Sequence, residues 1–251
     1  MARIITEETS LTRKHKGMLR EAGVLQKIVP YEIGAASVIF GAGLVRLLVS
    51  GQSGLLVLGI VLLVAGFAHR LRIQQNLQDA GKMKAGLQGE ATVTRALDRA
   101  LDNEYYIFND QVVRSGLKRA QLDHVVVSPH GIFVIETKNW RGRIVGDAHE
   151  PRWQQFKETG SKPLAVQNPV RQVQRSSRLL ASMLAHAGIR EESIIPMVVF
   201  RSPHTVLEIK DSPVPILTAE TVAQRVAGHR LTSPMSEKTV DTVLRVFMEA
   251  A

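Results

Sequence analysis

The 251-residue sequence contains no cysteine, which excludes disulfides, thiolate nucleophiles and cysteine-ligated zinc or iron–sulfur centres. Aromatic residues make up 5% of the chain and hydrophobic residues 45%, so its length allows one domain of ordinary size with a real core, plus something extra. Acidic charge is in deficit, with 32 Lys and Arg against 23 Asp and Glu, a formal net charge of +9. That balance favours a polyanionic partner, nucleic acid or an anionic lipid surface, over an acidic protein.

Two stretches almost lack charge. Ile33 to Val49 and Gly54 to Ala68 carry a single charged residue, Arg46, and are separated by Ser-Gly-Gln-Ser-Gly. A membrane span needs about 20 apolar residues, so residues 31–72 read as a transmembrane helical hairpin with Gln52, Ser53 and His69 in the headgroup zone. Arg46 sits near the end of its run, where its stem lies along apolar surface while the guanidinium reaches the interface. Basic residues crowd both outer flanks and the loop has none, which puts both ends in the cytoplasm. A signal peptide is disfavoured because the first apolar run follows some thirty polar residues and is itself followed by another. The alternative is a buried hairpin in a soluble protein. Ser37 and Gly41, four apart, permit close helix packing and a homo-oligomer without fixing one.

Residues 1–30 are basic. Leu11, Met18, Ala22 and Leu25 form a narrow apolar stripe flanked by Arg13, Lys14, Lys16 and Arg20, the pattern of an amphipathic helix that lies either on the protein or on a membrane surface.

From Lys84 to Ala251 the pattern is that of an α/β domain. Seven basic and four acidic residues precede His69, so the remainder is about six positive. A helix opening at "AGLQGE" aligns Glu90 with Val93, Leu97 and Leu101 on its inner face; a glutamate favoured by the dipole of a first helical turn is the plainer reading. Tyr105 to Val113, Leu122 to Ser128 and Gly131 to Lys138 read as three strands of a meander. A His130-Gly131 loop sets Asp123 opposite Lys138; a Ser128–Gly131 loop sets it opposite Glu136. Either even-length loop places Asp123, Glu136 and Lys138 on one face, because side chains alternate with a period of two. Apolar neighbours on both faces bury these charges, and two carboxylates there require a cation between them. Lys138 supplies one charge and a divalent metal would supply two; oxygen ligands suit Mg²⁺ or Mn²⁺ better than zinc. An internal Asp–Lys salt bridge is the structural alternative.

Asn168-Pro169 opens a further helix to about Ala187. Arg171, Arg175 and Arg178 fall at spacings of four and three, a stripe suited to backbone phosphates or simply a solvated face. Gln172 lies beside them as a substrate-positioning candidate. Trp153 reads as core, His124 as a core or supporting histidine, and His130 as a turn residue. Ile194 to Phe200 and Val214 to Leu217 read as strands, with helices to about Ala227 and from Ser236 to Met248.

Gly89-Glu90, "LDHVVVSPHGIFVIETKNWRGRI" and "QNPVRQ" together resemble the NERD (nuclease-related) domain of the PD-(D/E)xK nuclease superfamily, over roughly Gly86 to Phe200. The resemblance implies a restriction-endonuclease-like core, a mixed sheet flanked by helices, with a metal-dependent nuclease site. By it Asp123 and Glu136 match metal ligands, Glu90 the first-helix carboxylate that completes the shell or holds a second ion, and Lys138 the motif lysine; Leu122 stands where the superfamily's name has proline. The expectation is a membrane-anchored, Mg²⁺- or Mn²⁺-dependent nuclease acting on DNA, with RNA as the alternative substrate and foreign DNA on entry as one target. It needs no organic cofactor. The rival is a catalytically inactive membrane scaffold that binds nucleic acid or partner proteins.

Overall fold

A computed structural model describes residues 1–5, 10–158, 160 and 162–250, except for the side chains of Ser10, Leu11 and Ala250. The chain forms two compact units, residues 10–85 and residues 86–251 with the first nine.

In the first unit, α1 (Ser10–Ser50) runs without a break through Pro30, joining the basic amphipathic segment to the first apolar run. Pro30 costs that helix one backbone hydrogen bond. The segment Gly54–Ala85 belongs to α2 (Gly54–Ala100). Glycines let the two helices touch: a Cβ on Gly59 would lie 2.5 Å from Phe40 Cα, and one on Gly43 would lie 2.6 Å from the Leu55 carbonyl carbon. Glu32 pairs with His69 at 2.8 Å and Glu21 with Arg72 at 2.7 Å. Ala22 and Val29 are buried while Arg13, Lys14, Lys16 and Arg20 are exposed, so the amphipathic stripe faces inward where its side chains are described; the side chain of Leu11 lies outside the described residues. The apolar runs do the reverse. Val45, Leu48, Val49, Val61, Val64 and Phe67 are each more than half exposed, and both helices are long and apolar enough to cross a membrane.

The second unit is a mixed α/β domain. Its strands are β1 (Arg3–Ile5), β2 (Tyr106–Ser115), β3 (Lys118–Ser128), β4 (Gly131–Lys138), β5 (Arg143–Asp147), β6 (Arg152–Phe156), β7 (Leu164–Gln167), β8 (Ile194–Phe200), β9 (Val206–Lys210) and β10 (Ile216–Thr218). Its helices are the end of α2, α3 (Pro169–Leu184), α4 (Val222–Ala227) and α5 (Glu237–Ala250). The main sheet has the order β1-β2-β3-β4-β8-β10, antiparallel across β2-β3-β4 and parallel elsewhere. Strand β4 is buried on both faces from Gly131 to Glu136. Val125, Val127, Ile132 and Val134 pack with Val173 and Leu180 of α3 and Phe247 of α5; Val126, Phe133 and Ile135 pack with Val93 and Leu97 of α2 and Val226 of α4. Period-two alternation thus feeds two separate helical layers.

Strands β7-β6-β5-β9 form a second sheet, which sequence periodicity did not show. Its centre is Trp153, fully buried, whose Nε1 donates to the Asp147 carbonyl at 2.8 Å. The ring lies over Gly146, where an added Cβ would fall 2.7 Å from Nε1. Gly146→Ala is therefore expected to destabilise this domain by about 1–3 kcal/mol through overpacking, read as a lower midpoint in urea denaturation.

Candidate active site

The site is built where two strands part. The β3–β4 register runs from Ser128↔Gly131 to His124↔Ile135 and stops there; onward, β3 stays with β2 and β4 with β8. Of the two registers left open by the sequence, this is the one that faces Asp123 toward Glu136. At the fork the Asp123 side chain replaces the lost backbone ladder: its Oδ2 accepts the Thr137 amide hydrogen at 2.7 Å. Glu136 is buried to 3% exposure, and the Lys138 Nζ donates to its Oε1 at 2.5 Å. Lys138 also donates to Gln172 Oε1 of α3 at 3.1 Å and lies 5.6 Å from the Trp140 ring centroid, so three neighbours fix one ammonium.

Glu90 comes from the opposite layer. The helix expected to open just before it does not start there; α2 passes unbroken through Gly81, Gly86 and Gly89, which removes a first-turn dipole as the reason for Glu90. Gly89 instead permits close approach to the end of β4, since a Cβ there would lie 3.1 Å from that of Asn139. Burial, then the negative charges of Asp123, Asp110 and Glu136, push the Glu90 carboxyl up to about 8. Burial and Asp123 push Glu136 to about 8 despite Lys138, and burial raises Asp123 against the pull of the Thr137 amide and Lys138. One ammonium therefore does not balance the carboxylates gathered here.

Asp110 is the member that the sequence reading missed. It sits in β2 with φ of 54°, in register with Asp123 but outside the ladder on either side of it, and accepts a hydrogen bond from Gln121. Beneath the fork lies His124, fully buried. Its Nδ1 pairs with Asn109 Oδ1 at 2.6 Å and its Nε2 with Thr137 Oγ1 at 3.1 Å. Because Asn109 Oδ1 also accepts from Thr94 Oγ1, Nδ1 carries the hydrogen and Nε2 accepts from Thr137. Burial holds this histidine neutral, with a pKa lowered to about 3, as a support for Thr137 rather than a ligand.

Oxygen donors alone, held among buried strands and more numerous than one ammonium can neutralise when ionised, fit a hard divalent cation. Asp123 and Glu136 would hold it, with Glu90 beside them. Among the described residues no three His, Asp or Glu side chains already close on one point as a finished cage.

Beside the fork, a groove of about 660 Å³ is lined by Arg119 and Gln121 of β3, Arg152 of β6 and Arg171, Arg175 and Arg178 of α3. It reaches the fork through Gln172. The three α3 arginines come together as their spacing required; Arg119 and Arg152 had no sequence signal, because separate strands bring them there. Asn168 fixes the helix that presents the stripe, with its Oδ1 accepting from Val170 N and its Nδ2 donating to the Ala148 and Glu150 carbonyls.

Sheet, fork and basic groove define a helix-flanked α/β domain with an acid-and-lysine centre beside an arginine-lined groove. The family model of the nuclease-related domain, NERD, matches residues 85–201, and this part of the chain is such a domain. An uncharacterized protein of Bacillus anthracis, pXO1-01, is 36% identical over 90 residues, which cover 35% of this chain and 41% of that protein. The match thus spans less than half the relative's length. Protein VC1899 from Vibrio cholerae aligns over 99% of this chain and 59% of its own, at 12% identity and a TM-score of 0.28.

Proposed function

We propose that the protein is a membrane-anchored, divalent-metal-dependent nuclease that hydrolyses DNA phosphodiester bonds. The observation that carries this reading is the link between the two halves of the site: Lys138 bonds Glu136 in the carboxylate fork and Gln172 at the edge of the arginine groove. This hydrogen-bonded link supports a reading in which a phosphate seated in the groove would reach the acids.

A phosphodiester resists hydrolysis because its charge repels hydroxide. Bound Mg²⁺ or Mn²⁺ would supply charge neutralisation and a water acidified toward neutral pH. The protein's own groups do the rest. Asp123 and Glu136 would hold the ion, and Glu90, once deprotonated, would add charge beside them. Lys138, aimed by Gln172 and Trp140, orients the attacking water or stabilises charge developing on the phosphate oxygens. The arginines bind flanking phosphates without reading sequence.

The exposed apolar faces of α1 and α2 support the anchor, because so much contiguous apolar surface is unfavourable in water. The basic flanks of the hairpin favour a cytoplasmic catalytic domain at a bacterial inner membrane, where DNA entering the cell is one substrate within reach.

The test is cleavage of linear, nicked and circular DNA by the full chain in nanodiscs with Mg²⁺, Mn²⁺ or chelator. Metal-dependent cutting lost in Asp123→Ala is the expected result; binding without cutting would sustain the inactive scaffold instead. Arg171→Ala and Arg175→Ala should each weaken binding of all sequences alike and flatten the salt dependence by about one charge, which titration between low and moderate salt reads directly.

A further inference from the structure

The hairpin joining β2 and β3 turns at Gly116, φ 58°, and carries Leu117 at its tip. Among the described large apolar residues Leu117 is the most exposed, at 106%. It stands among exposed cations, Arg114, Lys118 and Arg119, and the hairpin is tied to α3 by a 2.9 Å hydrogen bond between Ser115 and Ser182. A second groove, of about 790 Å³, lies between tip and helix, and shares Arg119, Arg175 and Arg178 with the groove that reaches the fork. A continuous basic track therefore runs from Gln172, the hydrogen-bond partner of Lys138, to a single presented leucine.

An apolar side chain ringed by arginine and lysine is matched by a ligand with phosphates outside and stacked apolar faces inside. We propose that Leu117 is a wedge that enters an opened base step, so that the protein engages duplexes at a nick, gap or flap in preference to intact duplex. This rests on the nuclease reading and adds its substrate structure. Proteins that insert apolar wedges unstack a base step at a cost that is least where the stack is already broken. The geometry also sets a ruler. Leu117 and Asp123 are six residues apart along β3, about 20 Å at about 3.3 Å per residue, which spans about six base steps at 3.4 Å each. Cutting should fall about six nucleotides from the discontinuity.

The test uses the full chain in nanodiscs carrying Glu136→Gln, with a duplex that has 2-aminopurine beside a nick. Binding should raise the fluorescence several-fold. Leu117→Ser in the same background should abolish the rise while changing affinity for intact duplex by less than twofold. In the otherwise wild-type chain, mapped cuts should cluster at the stated distance, and Leu117→Ser should scatter them. A rise that survives Leu117→Ser, or no rise in either protein while DNA is bound and wild type cuts, overturns the wedge and leaves the nuclease reading standing. A chain that binds no nucleic acid overturns both.

Discussion

Replacing Glu136 by Gln is expected to abolish metal-dependent cutting and, at the same time, to make the protein more stable above neutral pH. The loss of activity follows from removing one of two carboxylates proposed to hold the ion. Losses of two to four orders of magnitude are usual when a group of this kind is removed. The gain in stability follows from burial. Glu136 is 3% exposed, and its carboxyl is raised from 4.5 to about 8, by burial first and Asp123 second, with Lys138 opposing. A group whose folded pKa lies above its unfolded value stabilises fully below the unfolded one, and that contribution is lost as pH rises through the folded one. Here the window runs from about 4.5 to about 8. Glutamine matches the protonated side chain in shape and cannot ionise, so the variant escapes the loss. Below pH 4.5 the two proteins should differ little for this reason; by pH 8.5 the difference should have grown in the variant's favour by a few kcal/mol. Urea denaturation of the metal-free proteins at pH 5 and 8.5 reads it, and parallel stabilities at the two pH values would sink the argument. A site kept at the expense of stability is the usual mark of function.

The parts of this site that were legible in the sequence share one property: each lies on a single periodic element. Asp123, Glu136 and Lys138 fall on one face because strand side chains alternate, and that held although the register was open between two loops. Arg171, Arg175 and Arg178 share a helix face for the same kind of reason. Glu90 aligned with Val93 and Leu97, yet the start of its helix was misplaced, because a glycine costs a helix only about 1 kcal/mol and α2 absorbs Gly81, Gly86 and Gly89 ahead of it. Asp110 was invisible. Its role depends on one residue leaving the β2–β3 ladder with positive φ, which Asp tolerates without any pattern around it. Arg119 and Arg152 were invisible for a different reason, since neither marks its own strand and only the packing of β3, β6 and α3 makes them neighbours. The second sheet is built from strands of four or five residues, too short for alternation to stand out, and β1 from three. Local order is written in periodicity; convergence between elements is not.

Divalent metal binding should tighten steeply with pH. Glu90 and Glu136 are both raised to about 8, so at pH 6 to 7 in the metal-free protein each carries a proton that a bound cation must displace. The apparent affinity for Mn²⁺ should therefore rise about tenfold per pH unit for each carboxylate that deprotonates, and level off above pH 8. If both take part, the change from pH 6 to pH 7 approaches a hundredfold. His124 does not enter this dependence, because it stays neutral throughout with its pKa near 3. Titration calorimetry in buffers of different ionisation enthalpy would give the protons released per ion alongside the affinity. Glu90→Gln should lower the proton count by one while retaining Mn²⁺ binding; Asp123→Asn should remove the binding. The order of these two variants separates the proposed ligand from the carboxylate that surrounds it with charge. An affinity that is flat between pH 5.5 and 8, with no proton release, would mean that the ion binds elsewhere and that the fork is held by Lys138 alone.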